Sequence, residues 1–278
     1  MYLTIDVGGT KTLVGLFDNS GDIIESERIE TPKDYEQFIN KLGQTIEKVT
    51  TKDTKLKGCC VAIPGLINRA SGVVHALGNL PWKDVSIARD LSKFVGNVKI
   101  TLENDARLAG LAEANVIRYS HQNVLYLTIS TGIGGALIRD NRIVKALEDT
   151  EMGKMDLQYE GKIQDWEEFA SGRWVVKEFG HKAEDITDPK EWDKLGRNIA
   201  QGVAVVCSVL QPEAIIFGGG VGQYANKFSD AVSEYLREHL HPVIKQPQAL
   251  LAASYPEDAV LRGCFLLLQQ KERTSAAS

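Results

Sequence analysis

Leu102-Glu103-Asn104-Asp105-Ala106-Arg107-Leu108-Ala109-Gly110-Leu111-Ala112-Glu113 joins two patterns. The apolar run at 98–102 reads as a strand, and the Ala/Leu-rich spacing that follows reads as a helix. Asn104-Asp105 therefore falls at a strand-to-helix junction, which holds a polar side chain on rigid backbone at the floor of a cleft. An Asp there has two readings. It can cap the helix, its carboxylate accepting backbone N–H groups of the first turn. It can also act as a general base toward a substrate hydroxyl. Position alone favours the cap, and the glycine-rich turns elsewhere in the chain favour the base.

Upstream, residues 2–7 read as a strand, Gly8-Gly9-Thr10-Lys11 as a turn, 12–17 as a second strand and 23–29 as a third. The plain reading of Gly8-Gly9 is a tight turn that needs positive φ. The functional reading is a concavity of bare N–H groups open to an anion, with Thr10 and Lys11 adding donors. Asp6, just before the turn, can organise Mg²⁺, usually through water. Residues 34–49 carry Phe38, Leu42, Ile46 and Val49 at helical spacing, a core-facing stripe. Residues 56–63 form an apolar strand stopped by Pro64-Gly65, and Ser71-Gly72 marks a further turn. Leu77-Gly78-Asn79-Leu80-Pro81-Trp82 is a loop in which Asn79 offers a donor and an acceptor to a hydroxyl. Residues 87–94 read as a short helix.

Downstream, residues 124–130 read as a strong strand, Thr131-Gly132-Ile133-Gly134-Gly135 as a second glycine-rich turn, and 136–139 as its continuation. Ile5-Asp6-Val7-Gly8-Gly9-Thr10 and Ile129-Ser130-Thr131-Gly132-Ile133-Gly134 share one pattern of strand, Gly/Thr turn and strand. Two related halves each presenting such a turn can grip a polyphosphate from both sides. Trp166 to Gly172 opens a helix, and 192–210 is a long helix whose Leu195, Ile199, Val203, Val206 and Leu210 are core. Residues 214–217 read as a buried strand, followed by Gly218-Gly219-Gly220-Val221-Gly222 and a helix over 224–240. A strand, a Gly run and a helix N-terminus make an anion shelf. It is no GxGxxG fingerprint, and no acidic residue follows at the right distance, which excludes a Rossmann dinucleotide site. A final apolar helix covers 259–270, and the polar tail 271–278 is expected to fray.

The composition fits a globular protein of two domains: 278 residues, 43% hydrophobic, 25% charged. A net charge of −5 with no basic stripe speaks against nucleic acid and anionic membranes as partners. The N-terminus carries no signal-peptide pattern and no span is long and apolar enough for a membrane helix. Cys59, Cys60, Cys207 and Cys264 sit in apolar surroundings, as reduced thiols of a cytoplasmic protein do.

Five segments in order, Asp6-Val7-Gly8-Gly9-Thr10-Lys11, Pro64-Gly65, Glu103-Asn104-Asp105, Ser130-Thr131-Gly132-Ile133-Gly134-Gly135 and Gly218-Gly219-Gly220-Val221, resemble the ROK family of sugar kinases and sugar-responsive repressors. That family lies within the actin-like ATPase (ribonuclease H-like) superfamily. The resemblance spans almost the whole chain. It implies an α/β fold of two ribonuclease H-like domains with a cleft between them, residues 1–117 plus 259–278 forming the smaller and 118–258 the larger. The chain opens directly on its first strand, so no DNA-binding arm of the repressor members is expected.

The resemblance implies a cytoplasmic kinase that moves a phosphoryl group from ATP, with Mg²⁺, to a hexose hydroxyl, glucose favoured over fructose and N-acetylmannosamine. Asp105 would be the general base, Asn104 would bind the sugar beside it, and Asn79 would add a contact. Glu151 and Glu167 would accept sugar hydroxyl protons. Thr10, Lys11, Thr131 and Gly132, with Gly8 and Gly9, would face the phosphates, and Gly219 and Gly220 the nucleoside end. The family's Glu-x-Gly-His motif is Glu151-Met152-Gly153-Lys154 here, and residues 155–165 lack the cysteines of the family's zinc loop. No zinc is therefore expected, and Trp166 and Tyr159 would stiffen that loop. An ammonium donates but does not accept, so the Lys154 substitution bears on sugar choice. Polyphosphate as donor and a non-catalytic sugar-binding protein are the alternatives. A homodimer is implied by the resemblance alone.

Overall fold

The computed structural model describes residues 1–277. Its chain divides into two compact units, Met1–Ala112 with the segment from Asp258 on, and Glu113–Glu257. The division falls within the helix that follows Asp105.

The first unit is built on a five-stranded sheet in the order β3-β2-β1-β4-β8. Its strands are β1 (Tyr2–Val7), β2 (Lys11–Phe17), β3 (Ile23–Glu30), β4 (Gly58–Ala62) and β8 (Ile100–Glu103). β1 runs antiparallel to β2 and parallel to β4, which runs parallel to β8. Between β4 and β8 the chain forms a small antiparallel sheet of β5 (Leu66–Asn68), β6 (Val73–Ala76) and β7 (Lys83–Val85). Period-2 alternation sends Leu3, Ile5 and Val7 of β1 to one face of the main sheet. There they pack with α1 (Tyr35–Val49) through Phe38, Leu42 and Ile46, and with α2 (Ile87–Val95) through Leu91. Tyr2 and Phe17 face the other side, against Leu261, Phe265 and Leu268 of the last helix, α9 (Ala259–Ala277). The C-terminal segment thus completes the N-terminal sheet. α3 (Asp105–Val116) leaves the end of β8.

The second unit repeats the plan in the order β11-β10-β9-β14-β15. Its strands are β9 (Asn123–Ile129), β10 (Ile133–Arg139), β11 (Arg142–Ile143), β14 (Ala214–Gly218) and β15 (Ala249–Ala252). β9 and β10 are antiparallel, and β9, β14 and β15 run parallel. Leu125, Leu127, Ile129, Ile215 and Phe217 pack against α4 (Glu167–Ala170), α5 (Gly172–Phe179), α6 (Pro189–Leu210) and α8 (Ala225–His239). The related halves read from the two Gly/Thr motifs are thus two sheets of the same strand sequence and sense.

Four expectations need correction. The second glycine-rich turn is shorter than read, because β10 resumes pairing at Ile133. The Gly run after β14 closes its own one-turn helix, α7 (Gly219–Gly222), and α8 starts afresh at Ala225. No long helix therefore springs from the Gly run to form an anion shelf. Residues 155–165 form a hairpin, β12 (Asp156–Tyr159) and β13 (Lys162–Asp165), with Glu160 and Gly161 both at positive φ (49° and 78°) as a two-residue primed turn requires. The tail from Lys271 is helical: α9 runs on to Ala277, and the Tyr2 hydroxyl donates to Glu272. Ser278 lies outside the described residues. Among the described residues no helix is long and apolar enough to cross a membrane.

Candidate active site

In the first unit, the parallel strands β1, β4 and β8 end in register, Asp6 opposite Ala62 and Ala62 opposite Glu103. Asp6 leads into the Gly8–Lys11 turn and Asn104-Asp105 into α3, so both acidic residues emerge at the carboxyl ends of the parallel strands, where open α/β sheets carry their ligands. Asn104, not Asp105, is the helix cap. Its carbonyl accepts the Leu108 N–H at 3.1 Å and its side-chain oxygen the Arg107 N–H at 3.3 Å. The capping reading of Asp105 is thereby overturned. Asp105 is the first helical residue, and its carboxylate accepts the neighbouring Ala106 N–H at 2.8 Å. No side chain among the described residues donates to it. Burial pushes its pKa up. Asp6 is raised to about 7, first by burial and then by the charge of Asp105. The two carboxylates therefore feel one another.

The turn beside them is tied on every side. The Gly8 N–H donates to the Lys11 carbonyl at 2.9 Å, and the Thr31 hydroxyl to the Gly8 carbonyl at 2.9 Å. Neither Gly8 nor Gly9 has positive φ, contrary to expectation. Gly9 is required instead by close approach, since a Cβ there would meet Asn79 Cβ at 2.6 Å. The Lys33 ammonium bridges the carbonyls of Gly9 (2.9 Å) and Asn79 (3.3 Å), and the Trp82 indole N–H holds the Lys33 carbonyl at 2.8 Å. The loop carrying Asn79 is thus fastened to the turn, with the Asn79, Thr10 and Lys11 side chains exposed.

In the second unit, Glu167 is the hub. It is buried, and its Oε2 accepts the Ile133 N–H at 3.1 Å. Its Oε1 accepts from Lys154 at 2.7 Å and Arg173 at 3.2 Å. Lys154 also bonds Asp165 at 3.0 Å, and these two partners push its pKa up to about 12. The carboxylate thus joins the Thr131-Gly132 turn, the Gly153-Lys154 segment and α5. Tyr159 stacks on Phe169 with ring centroids 4.4 Å apart, and Trp166 is fully buried. Glu151 is exposed, just before Met152–Lys154. Gly219 has φ +78°, and a Cβ there would meet the Ile129 carbonyl oxygen at 2.6 Å, so a side chain is excluded twice over. The Gly run therefore lies on the end of β9, against Thr128 and Ile129. Gly220 faces open space.

The expected residues divide between the units: Asp6, Gly8, Gly9, Thr10, Lys11, Asn79, Asn104 and Asp105 in the first, Thr131, Gly132, Glu151, Glu167, Gly219 and Gly220 in the second. Lys33, Arg69 and Arg173 were not singled out in the sequence. A lone cation in a turn or on a short helix gives no sign of its partner, which is set by tertiary packing. Among the described residues no group of three or more His, Cys, Asp and Glu could hold a metal ion.

Over residues 2–271 the sequence matches the ROK family. It is 22% identical to the glucokinase of Streptomyces coelicolor over 98% of each chain. It is 28% identical to the N-acetyl-D-glucosamine kinase of Haemophilus influenzae, over 98% of this chain and the whole of that one. The ROK hexokinase of Thermus thermophilus superposes with a TM-score of 0.81 at 26% identity, covering 98% of this chain and 99% of that one. The chain belongs to the ROK family, and its two α/β units have the actin-like ATPase fold that the resemblance implied.

Proposed function

We propose that this ROK sugar kinase transfers the γ-phosphoryl group of ATP to a hydroxyl of a glucose-configured hexose, glucose or its 2-acetamido derivative. The observation that carries the chemistry is Asp105. It is a carboxylate at the start of the helix that follows a parallel strand, freed from capping by Asn104, raised by burial and bonded to the Ala106 N–H. A general base gains from an accessible carboxylate oxygen and a raised pKa; Asp105 is partly exposed and burial raises its pKa. As the sugar oxygen bonds to phosphorus, its proton passes to Asp105, the bond to the β,γ-bridging oxygen breaks, and ADP leaves. Phosphoryl transfer asks the protein mainly for alignment and charge stabilisation.

Thr10, Lys11, Thr131 and Gly132 meet phosphate oxygens with backbone and side-chain donors, and Gly219-Gly220 lies under the nucleoside end. Asn79, Asn104, Glu151 and Glu167 serve the sugar. Asp6 suits Mg²⁺ as a hard oxygen donor in an anionic setting, and Mg²⁺ supplied with the nucleotide neutralises phosphate charge. The glucose configuration is supported by the relatives named glucokinase and N-acetyl-D-glucosamine kinase.

The test is a coupled assay with Mg-ATP against a hexose panel, with polyphosphate as a parallel donor and Asp105→Asn as control. Turnover on glucose or N-acetylglucosamine, lowered by about 10²–10⁴-fold in the variant, is the expected result. Sugar binding by calorimetry without any turnover would overturn the reading in favour of a sugar-binding protein. Light scattering tests the homodimer.

A further inference from the structure

We propose that Arg69 is a positioning residue for the Asn104–Asp105 junction, clamping Glu103 so that the peptide carrying Asp105 is fixed and the nearest acidic neighbour in sequence is neutralised. The inference rests on the reading of Asp105 as base.

The geometry is specific. Arg69 Nε lies 3.0 Å from each oxygen of the Glu103 carboxylate, and its Nη2 lies 2.7 Å from Oε1. The same Oε1 accepts the backbone N–H of Asn104 at 2.8 Å. A chain of contacts therefore runs from guanidinium to carboxylate to the Asn104 amide, and from the Asn104 side chain into the first turn of α3. Arg69 is itself held from below. It sits in the turn between β5 and β6, where Asn68 Oδ1 accepts the N–H groups of Ala70 (3.1 Å) and Ser71 (3.0 Å), and Gly72 N–H closes onto the Asn68 carbonyl at 2.9 Å. The small sheet β5–β7 thus supplies a rigid mount for one cation aimed at the end of β8.

Stability alone does not account for this pair. Its side chains are only 20% and 7% exposed, and desolvating two charges commonly cancels their attraction, so an apolar pair of the same volume does as well. What an apolar pair cannot do is hold the Asn104 N–H by a charged acceptor while leaving no net charge two residues from Asp105. The other groups bearing on Asp105 are Asp6 on β1 and Arg107 on its own helix, and Lys271 of α9 lies toward Glu103 and Arg69. Arg69 and Glu103 can therefore be varied with these left in place.

The experiment compares Arg69→Met, Arg69→Lys and Glu103→Gln by three readouts: the pH profile of kcat, the separate kcat and KM values, and amide hydrogen exchange at Asn104. Arg69→Met takes the guanidinium away from Glu103 and leaves Lys271 as the cation on that side. The acid limb of kcat should move up by ~0.5–1 unit, kcat should fall at least about tenfold, and sugar KM should stay within about threefold. Glu103→Gln removes the anion that faces Arg69, so its limb should move down. Arg69→Lys keeps the charge and loses the fork, so the limb should return toward the parent value while kcat stays low. Exchange at Asn104 should quicken in all three. Limbs that stay put, or that move the same way in Arg69→Met and Glu103→Gln, would overturn the charge role. Unchanged exchange at Asn104 in Arg69→Lys would overturn the positioning role even in a chain without turnover. If Asp105→Asn keeps full activity, the base assignment fails instead, and the exchange result still decides about the clamp.

Discussion

Glu167→Gln isolates the arrangement that holds the second unit's turn to its hairpin. The carboxylate accepts on both oxygens, from Ile133 N–H on one and from Lys154 and Arg173 on the other. An amide can accept on one side only. With its oxygen toward Ile133, its NH₂ faces two cations and both charge-assisted bonds are lost. Lys154 and Arg173 are 55% and 53% exposed and recover hydration, so this costs about 1 kcal/mol per pair. Turned the other way, a buried Ile133 N–H faces another donor, at ~1–3 kcal/mol. Either choice comes to about 2 kcal/mol, a fall in Tm of ~4–8 °C for a chain of this size. Lys154→Met on its own should destabilise the parent, because it strips one cation from the carboxylate. In the Gln background the same change removes a misplaced donor and should be neutral or stabilising. Thermal unfolding of the parent, both single variants and the double variant closes the cycle. A Glu167→Gln protein melting within about 1 °C of the parent, or a Lys154→Met effect equal in both backgrounds, would refute the hub.

Asp6 has a folded pKa raised from 3.8 to about 7. Between those values the folded state holds a proton that the unfolded state has released, so this group's contribution to stability falls as pH rises from about 4 to about 7. Asp6→Asn should raise Tm at pH 8, the gain should shrink at pH 5, and activity should be lost; equal gains at both pH values would refute the shift. Gly219→Ala meets both a left-handed backbone and the Ile129 carbonyl at 2.6 Å. It should raise nucleotide KM about tenfold or more with sugar affinity by calorimetry unchanged, and an unchanged nucleotide KM would remove Gly219-Gly220 from the nucleotide assignment. Gly9→Ala drives a methyl into Asn79 Cβ. It should speed amide exchange across residues 77–82, and unchanged exchange would show that the loop is not seated on the turn.

What the sequence made legible was what short-range chemistry decides. β1, β2 and β3 follow from their apolar runs, and α1 from the helical spacing of Phe38, Leu42, Ile46 and Val49; the Asp34 side chain caps that helix by accepting the Gln37 N–H at 2.9 Å. The pairing of Ile5–Thr10 with Ile129–Gly134 predicted two like halves because each motif ends a central strand. The hairpin β12–β13 was hidden because its strands are four residues long, its turn is Glu160-Gly161, and Ile163 points outward at 77% exposure. Lys154 bonded to Asp165 ties the ends of that segment, beside the packed Trp166 and the Tyr159–Phe169 stack. β15 was missed for a similar reason: Ala-Leu-Leu-Ala gains strand character only from its parallel partner β14.

The least legible point was also the most consequential. Asn104 and Asp105 are both good caps by residue type, and no local rule ranks adjacent members of that class. The choice is made one strand away, where pairing of β4 with β8 stops at Ala62 and Glu103. That end point makes Asn104 the first residue free of the sheet and puts its side chain over the helix start, while Glu103 turns back to Arg69 and to the Asn104 amide. Asp105 is left with a carboxylate that the fold does not consume. Its functional reading thus follows from the duties its two neighbours have already taken. Exchanging the pair, Asn104→Asp with Asp105→Asn, should therefore preserve the cap and the fold while turnover collapses. A swapped protein that melts like the parent and still phosphorylates would show that the base lies elsewhere.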